Sequence, residues 1–235
     1  MGNGKVRAAG MALAMQGSSI SGVDVGSATM KLGDEGFYIL LIGAADMGTG
    51  CDTILAQMAA ECMECSVDEI AVFGADTDVS PYDSGSYASS TTYLTGKAVE
   101  SACEELKSNM CRIAADMMDC DADEVEFTGD GVRKLDGSGF VSRFDIATKS
   151  MMFNNVNVQT TATKSSPISP PPFMAGMVEI ELDKETGKVD ILDYVAVVDC
   201  GTPINPNLAR IQTEGGLVQG IGMALYENVT YQPSG

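Results

Sequence analysis

Apolar and polar positions change period along this chain, and each change marks an element. From Val25 to Leu32, and again from Phe37 to Ile42, apolar residues dominate two short runs joined by Gly33-Asp34-Glu35-Gly36, which predicts a β-hairpin. Ile54, Leu55, Met58, Ala59 and Cys62 then recur at the spacing of an amphipathic helix, with Thr49 or Asp52 available as its N-cap. A short strand is predicted near Ile70 to Phe73, followed by the polar loop "GADTDVSPYDSGSYASSTTY". The longest helix is predicted from about Thr95 to Met118, where Ala98, Ala102, Leu106, Met110, Ala114 and Met117 fall near one face.

Asp130-Gly131 and "DGSG" at Asp136 to Gly139 mark turns in a shorter strand-bearing region, and Phe144 to Met152 reads as a further helix. "TATKSSPISPPPF", Thr161 to Phe173, is rich in prolines, which withhold N–H donors and fix φ, so it reads as extended and as a boundary. The expected division is therefore residues 1–160 and residues 161–235. Beyond the boundary, alternation resumes on both sides of "DKETG", predicting a second hairpin, and a last helix is expected from Asn207 to Tyr226. Both halves thus share an order of hairpin, glycine-threonine turn and helix. That order suits either a pseudo-repeat or a common supersecondary solution, and the fold class is α+β.

Charge narrows the partners. With 14 basic against 33 acidic residues the net charge is −19, which opposes binding to nucleic acid or to anionic lipid surfaces. No apolar run approaches the roughly 18 to 20 residues that span a bilayer. The basic, weakly apolar start "MGNGKVRAAGMALAMQGSS" falls short of a signal peptide, whose apolar core runs about 7 to 15 residues. Seven cysteines, an odd number without a regular framework, suit reduced thiols in the cytoplasm. Cys62 and Cys65 have a metal-like spacing, but no second pair completes a site, so both read as helix-borne thiols. The chain has no histidine, which excludes Ser-His-Asp, Cys-His and His-metal chemistry within it.

Three glycine-bearing segments remain as candidate chemistry. The first, "GAADMGTGCDTILAQMAAE" from Gly43 to Glu61, fails as a P-loop because Thr49 stands where lysine is needed, and its glycines miss the Rossmann spacing. No Lys or Arg lies between Lys31 and Lys97, so an anion held here would rest on turn N–H groups, a helix N-terminus and uncharged hydroxyls. The second, "SGSYASSTTY" from Ser84 to Tyr93, offers small residues just ahead of the long helix, or simply a Ser/Thr-rich surface turn. In the third, "QTEGGLVQGIGMAL", Gly215, Gly216, Gly220 and Gly222 each cost a helix about 0.8 to 1 kcal/mol relative to Ala, which tight packing or a group pressed on the backbone would offset.

In these segments, together with "PPPFMAGMVEIELDKETGKVDILDYVAVVDCGTPINP", the chain resembles the molybdenum-cofactor-binding part of the xanthine dehydrogenase and aldehyde oxidase family. The likeness runs from about Arg7 to the end. It implies a pyranopterin carrying molybdenum, extended by cytidine diphosphate and shared with a partner chain. By that resemblance Met47, Gly48, Thr49 and Gly50 lie over the pterin, where many members have Gln instead of Thr49. Gly85, Ser86, Ala88, Ser89, Ser90 and Thr91 match the loop whose backbone and hydroxyls approach the cofactor, although relatives often have Arg at Ser90. Gln219 matches a glutamine directed at the pterin and molybdenum end.

The resemblance also implies a hydroxylase that uses water to oxidise N-heteroaromatic compounds or aldehydes. Its catalytic glutamate lies downstream of "QGIGMALYE", outside these residues, so neither Glu61 nor Glu214 is assigned a catalytic role. Iron–sulfur centres and FAD are expected on other subunits, because the cysteine spacing fits no ferredoxin pattern. A complementary molybdopterin subunit is expected as well, as in nicotinate-dehydrogenase-like members with a divided molybdenum portion. The alternative is a non-catalytic assembly or cofactor-handling module of the same fold.

Overall fold

The computed structural model of the protein describes residues 4–235. The architecture is mixed, with three sheets and four helices among the described residues, grouped in two compact units. One unit is Ser18–Pro170; the other joins the N-terminal residues through Gly17 to Pro171–Gly235.

The larger unit is built on a four-stranded sheet of β2 (Gly26–Leu32), β3 (Tyr38–Ile42), β4 (Ile70–Gly74) and β8 (Gln159–Lys164), in the order β4-β3-β2-β8. β2 and β3 form the expected antiparallel hairpin, with Leu32 opposite Tyr38. β3 then runs parallel to β4 through α1 (Cys51–Cys62), a βαβ crossover. The long helix α2 (Thr91–Met117) packs on β2 and β8 and beside α1. Leu94, Ala98, Ala102, Leu106, Met110 and Ala114 of its apolar face are all buried. Close approaches position it: a Cβ on Gly26 would lie 2.5 Å from the Thr95 nitrogen, and one on Gly96 would lie 2.6 Å from the Met58 methyl.

A small meander of β5 (Val125–Thr128), β6 (Gly131–Lys134) and β7 (Phe140–Ser142) leads into α3 (Arg143–Thr148). The helix expected over Phe144 to Met152 is therefore α3, capped by the Ser142 hydroxyl, followed by a π-type turn at Lys149–Phe153. Arg143 ties this region to the starting ends of β3 and β4 through an ion pair with Glu69 and by lying 5.3 Å from the Tyr38 ring centroid.

In the other unit the stretch considered as a leader forms strand β1 (Lys5–Met15), while its first three residues lie outside the described ones. β1 pairs along its whole length with β9 (Phe173–Asp183), which pairs with β10 (Val189–Asp199) around the "DKETG" turn. Helix α4 (Pro206–Leu225) follows, its first turn capped by the Asn205 side chain at 3.1 Å from the Leu208 amide. Among the described residues of this unit only Gly176 is buried.

Candidate functional site

β3 and β4 both end at the same edge of the larger unit, where parallel strands of a βαβ crossover present their carboxyl ends and the following helix its N-terminus. The turn that leaves β3 starts at Gly43, where a Cβ would stand 2.3 Å from the Pro81 carbonyl and 2.7 Å from the Asp83 Cβ. Only a residue without a side chain lets the two segments meet, and their meeting brings the roots of the first two candidate loops together.

Within the first loop, Gly48 and Gly50 take left-handed φ of 96° and 75°. Space beside Gly48 is open, with nothing within 4 Å of a Cβ built there, and Met47 is 72% exposed. Helix α1 begins at Cys51 after Gly50, with no side-chain cap, so neither Thr49 nor Asp52 is the N-cap. The reason is Asp46. Its Oδ1 accepts from the Gly48 amide at 2.9 Å and the Gly50 amide at 3.1 Å, so a carboxylate four residues upstream does the work of a cap. Partial desolvation opposes ionisation of Asp46, but the amides of Gly50, Gly48, Asp52 and Thr49 outweigh it and hold its carboxyl below the usual range. The anion already seated in this turn belongs to the chain itself. Asp46 carries no signal in helical periodicity, yet an Asp two residues before a glycine turn is the sequence sign of side-chain-to-backbone capture.

Asp46, Cys51 and Asp52 also bring three ligand-type atoms within 4.8 Å of one another. Burial pushes the Cys51 thiol up to about 11, so at neutral pH it is a protonated thiol, a poor metal ligand.

The second loop is organised by Asp83, which accepts from the Gly85 amide and from the Thr95 hydroxyl, each at 2.9 Å. Ser84 Oγ clamps the main chain of Val25, accepting from its N–H at 3.1 Å and donating to its carbonyl at 3.0 Å. Gly85 has φ 107°, and Ala88 and Ser89 have left-handed φ of 53° and 58°, a conformation that costs non-glycine residues about 1–3 kcal/mol and gathers at ligand-holding loops. The Ser90 hydroxyl donates to the Gly85 carbonyl at 3.0 Å, and Thr91 Oγ1 donates to Ser86 Oγ at 2.8 Å. These hydroxyls are spent within the loop and brace it.

Gln219 belongs to the other unit, exposed on α4. Gly215, Gly216 and Gly220 have nothing within 4 Å of a built Cβ, so tight packing among the described residues does not explain them. Gly216 and Gly220 line a cleft of about 790 Å³ between α4 and the sheet, with Gln212, Tyr194 and Ile180. Glu214 forms an exposed pair with Arg210 at 3.7 Å, and Glu61 is exposed.

For a phosphorylated pterin, the carboxyl-end edge of β3 and β4 offers open space at Gly48 and two small-residue loops held side by side, the second strained at Ala88 and Ser89. With no cation in the sequence between Lys31 and Lys97, the hold would rest on main-chain amides, of which those of Gly48 and Gly50 are occupied by Asp46. Among the described residues no helix is long and apolar enough to cross a membrane.

Over residues 1–235 the sequence matches the family described as molybdopterin cofactor-binding domain. It is similar, at 33% identity over 227 residues, to the probable hypoxanthine oxidase XdhD of Escherichia coli, covering 96% of this chain and 24% of that protein. At 31% identity over 199 residues it is similar to the 6-hydroxypseudooxynicotine dehydrogenase complex subunit gamma of Paenarthrobacter nicotinovorans, covering 82% of this chain and 25% of that one. The chain thus spans about a quarter of the length of these relatives. Among solved structures, CO dehydrogenase from Oligotropha carboxidovorans superposes with a TM-score of 0.80 at 26% identity over 98% of this chain and 30% of that one. Quinoline 2-oxidoreductase from Pseudomonas putida gives 0.83 at 21% identity, over 98% of this chain and 31% of that one, a likeness of fold alone.

Proposed function

We propose, for a chain that belongs to the molybdopterin cofactor-binding family of xanthine dehydrogenase-, aldehyde oxidase- and CO dehydrogenase-like proteins, that it holds the cofactor of a molybdenum hydroxylase. The substrate class is N-heteroaromatic compounds or aldehydes, in keeping with relatives whose names point to hypoxanthine and 6-hydroxypseudooxynicotine. What supports the reading most directly is the junction at Gly43, which sets the 47–50 turn beside the 83–91 loop at one sheet edge. There Met47, Gly48, Thr49 and Gly50 would cover the pterin. The main chain of Gly85, Ser86, Ala88 and Ser89 would approach its phosphates, with Ser90 and Thr91 bracing the loop. Gln219 would reach the pterin end from α4.

When bound, the molybdenum group supplies oxygen transfer from water and receives the substrate's electrons. The chain's own part is to bind and orient. Uncharged donors hold phosphate without a counter-ion, and Asp46 keeps the turn amides aligned until a ligand competes for them. The two hairpin-plus-helix segments, β2–β3–α1 and β9–β10–α4, would be equivalent halves of the family's domain. The cofactor would be the cytosine dinucleotide form, in the cytoplasm. A complementary molybdopterin subunit would complete the site, with iron–sulfur and FAD subunits carrying electrons onward. Helix α4 spreads its apolar residues around its circumference, gathers them on no single face and buries none, which suits a helix that further polypeptide would cover.

Co-expression with a complementary molybdenum subunit tests this reading. We expect the isolated chain to be empty, and the complex to carry molybdenum and a pterin by metal analysis and mass spectrometry. The complex should hydroxylate a purine, nicotinate or an aldehyde with labelled oxygen drawn from water. Stable cofactor binding without turnover would support the assembly-module reading instead, and a complex free of pterin would overturn both.

A further inference from the structure

The turn that leads into β2 holds a carboxylate that the rest of the fold leaves half used. Asp24 is fully buried, one residue before Val25, whose main chain clamps Ser84 at the root of the second candidate loop. Its Oδ2 accepts from the Ile20 amide at 2.6 Å, and the amides of Val23 and Asp24 each donate to the Ile20 carbonyl at 3.1 Å, so residues 20–24 form a closed turn. Its other oxygen, Oδ1, is inaccessible and accepts no hydrogen bond among the described residues, and none of their ion pairs includes Asp24. Ser19 directly precedes the amide that Asp24 holds. It is 6% exposed, and its Oγ too is buried without a partner.

A second segment closes over this turn. The Gly22 amide donates to the Ser166 carbonyl at 2.9 Å, the Ser21 hydroxyl donates to the Pro167 carbonyl, and the Ser169 hydroxyl donates to the Ser19 carbonyl at 2.7 Å. Each of these three carbonyls spends one of its two lone pairs in that bond. Ser166 Oγ accepts from the Ile168 amide and bonds the Tyr93 hydroxyl, and the Lys97 ammonium ends on that same hydroxyl at 3.0 Å rather than on Asp24. The donor atoms gathered here are therefore all oxygens, and Asp24 is the only acidic residue in either segment, 18–24 or 165–170. A buried carboxylate oxygen with neither donor nor counter-charge is strongly unfavourable. A water would supply a hydrogen bond and no charge, whereas an all-oxygen set suits a hard cation. One carboxylate balances one charge: a monovalent ion leaves the site neutral, and a divalent ion would leave a positive charge in the interior.

We propose that Asp24 Oδ1 and Ser19 Oγ bind a monovalent alkali cation, sodium or potassium, with main-chain carbonyls of the two segments completing its shell. The ion pins the 19–24 turn to the 166–169 segment and, through Val25, steadies the root of the 83–91 loop. The site lies wholly within the unit Ser18–Pro170 and does not depend on the cofactor reading.

The test is thermal unfolding of the purified protein at constant ionic strength, with choline chloride exchanged stepwise for sodium, potassium or calcium chloride. The expected result is a saturable rise in the midpoint with sodium or potassium, roughly 3 °C at ten times the half-effect concentration. Asp24→Asn, which removes the charge, should abolish that dependence. Ser19→Ala removes only an unpartnered hydroxyl, so it should fold and raise the half-effect concentration several-fold. Crystals of the unaltered protein soaked in rubidium or thallium(I) salt should show an anomalous peak in contact with Asp24 Oδ1. A midpoint indifferent to the exchange, an equal rise in the Asp24→Asn protein, a response confined to calcium, or a water without anomalous signal at that position would each overturn the proposal.

Discussion

The two units are built from similar materials and differ in what they bury. In the unit Ser18–Pro170, the apolar faces of α2 and of the four-stranded sheet close on each other, and Tyr38, Met30, Leu40, Leu106 and Met110 are wholly inaccessible. The other unit has longer strands and a twenty-residue helix, yet no buried apolar side chain among its described residues. Met11, Leu13 and Met15 of β1 are 75%, 78% and 66% exposed, and the register sets Met11 and Leu13 on one stripe with Met177 and Val195, and with Ala175 and Val197. A sheet and helix in this state satisfy their backbone hydrogen bonds but leave the hydrophobic term almost unused. Regular secondary structure and a core are separate achievements: the first needs only local pattern, and the second needs a second surface.

The sharpest way to break that comparison is a pair of matched truncations. Leu106→Ala, in the core of α2, should cost about 2–5 kcal/mol in a urea or thermal unfolding experiment. Leu13→Ala, the same change on β1, should stay within about 0.5 kcal/mol. Equal costs would mean that Leu13 is covered in the protein as it exists. Amide exchange offers a second measurement, in which the amides of β9 should exchange roughly 100-fold faster than those of β3. Addition of a complementary molybdenum subunit should slow β9 and α4 while leaving β3 unchanged.

A smaller effect probes how the core unit is sewn together. Arg143 and Glu69 join α3 to the turn before β4, with side chains only 14% and 26% exposed. Glu69→Gln should lower stability by about 1–3 kcal/mol, because it leaves a partly buried guanidinium without its counter-charge. The smallest effect belongs to the exposed turn. Hydrogen bonds from Arg143 and then the Ser66 amide lower the Glu69 carboxyl, and the turn amides lower Asp46. Groups with depressed folded values add stability that is present above the ordinary carboxylate range of about 4 and is lost as pH falls through the folded values. Acid titration of the unfolding midpoint should show that loss. Asp46→Asn should remove only a small part of it, about 0.5 kcal/mol or less once solvent screening is counted.

Much of the core unit was legible in one dimension. The β2–β3 hairpin, α1, β4 and the buried face of α2 follow from local pattern alone, because each carries its own run or stripe of apolar residues. The start of α2 lies four residues before Thr95, since "SSTT" carries no apolar period while the first turn is held by Ser90 and its neighbours. β1 was unreadable as a strand: its partner β9 is more than 150 residues away, and small residues such as Ala8, Ala9 and Ala12 give no alternation of polarity. Within the site, the glycine turn and the serine loop stood out by composition. Asp46 and Asp83, which organise them, did not, because their work is done through backbone amides that no side-chain pattern records.

What the amino-acid order determined by itself is the main hairpins and helices, the absence of cations around the candidate turn and the exclusion of imidazole chemistry, since each depends on residue identity or on local period. Tertiary structure alone decided that Gly43 joins the two loops, that a carboxylate of the chain fills the turn, and that one unit closes a core while the other leaves its apolar stripe open. Those outcomes depend on distances between segments far apart in the chain, and burial is a property of surfaces that meet rather than of the sequence that forms either one.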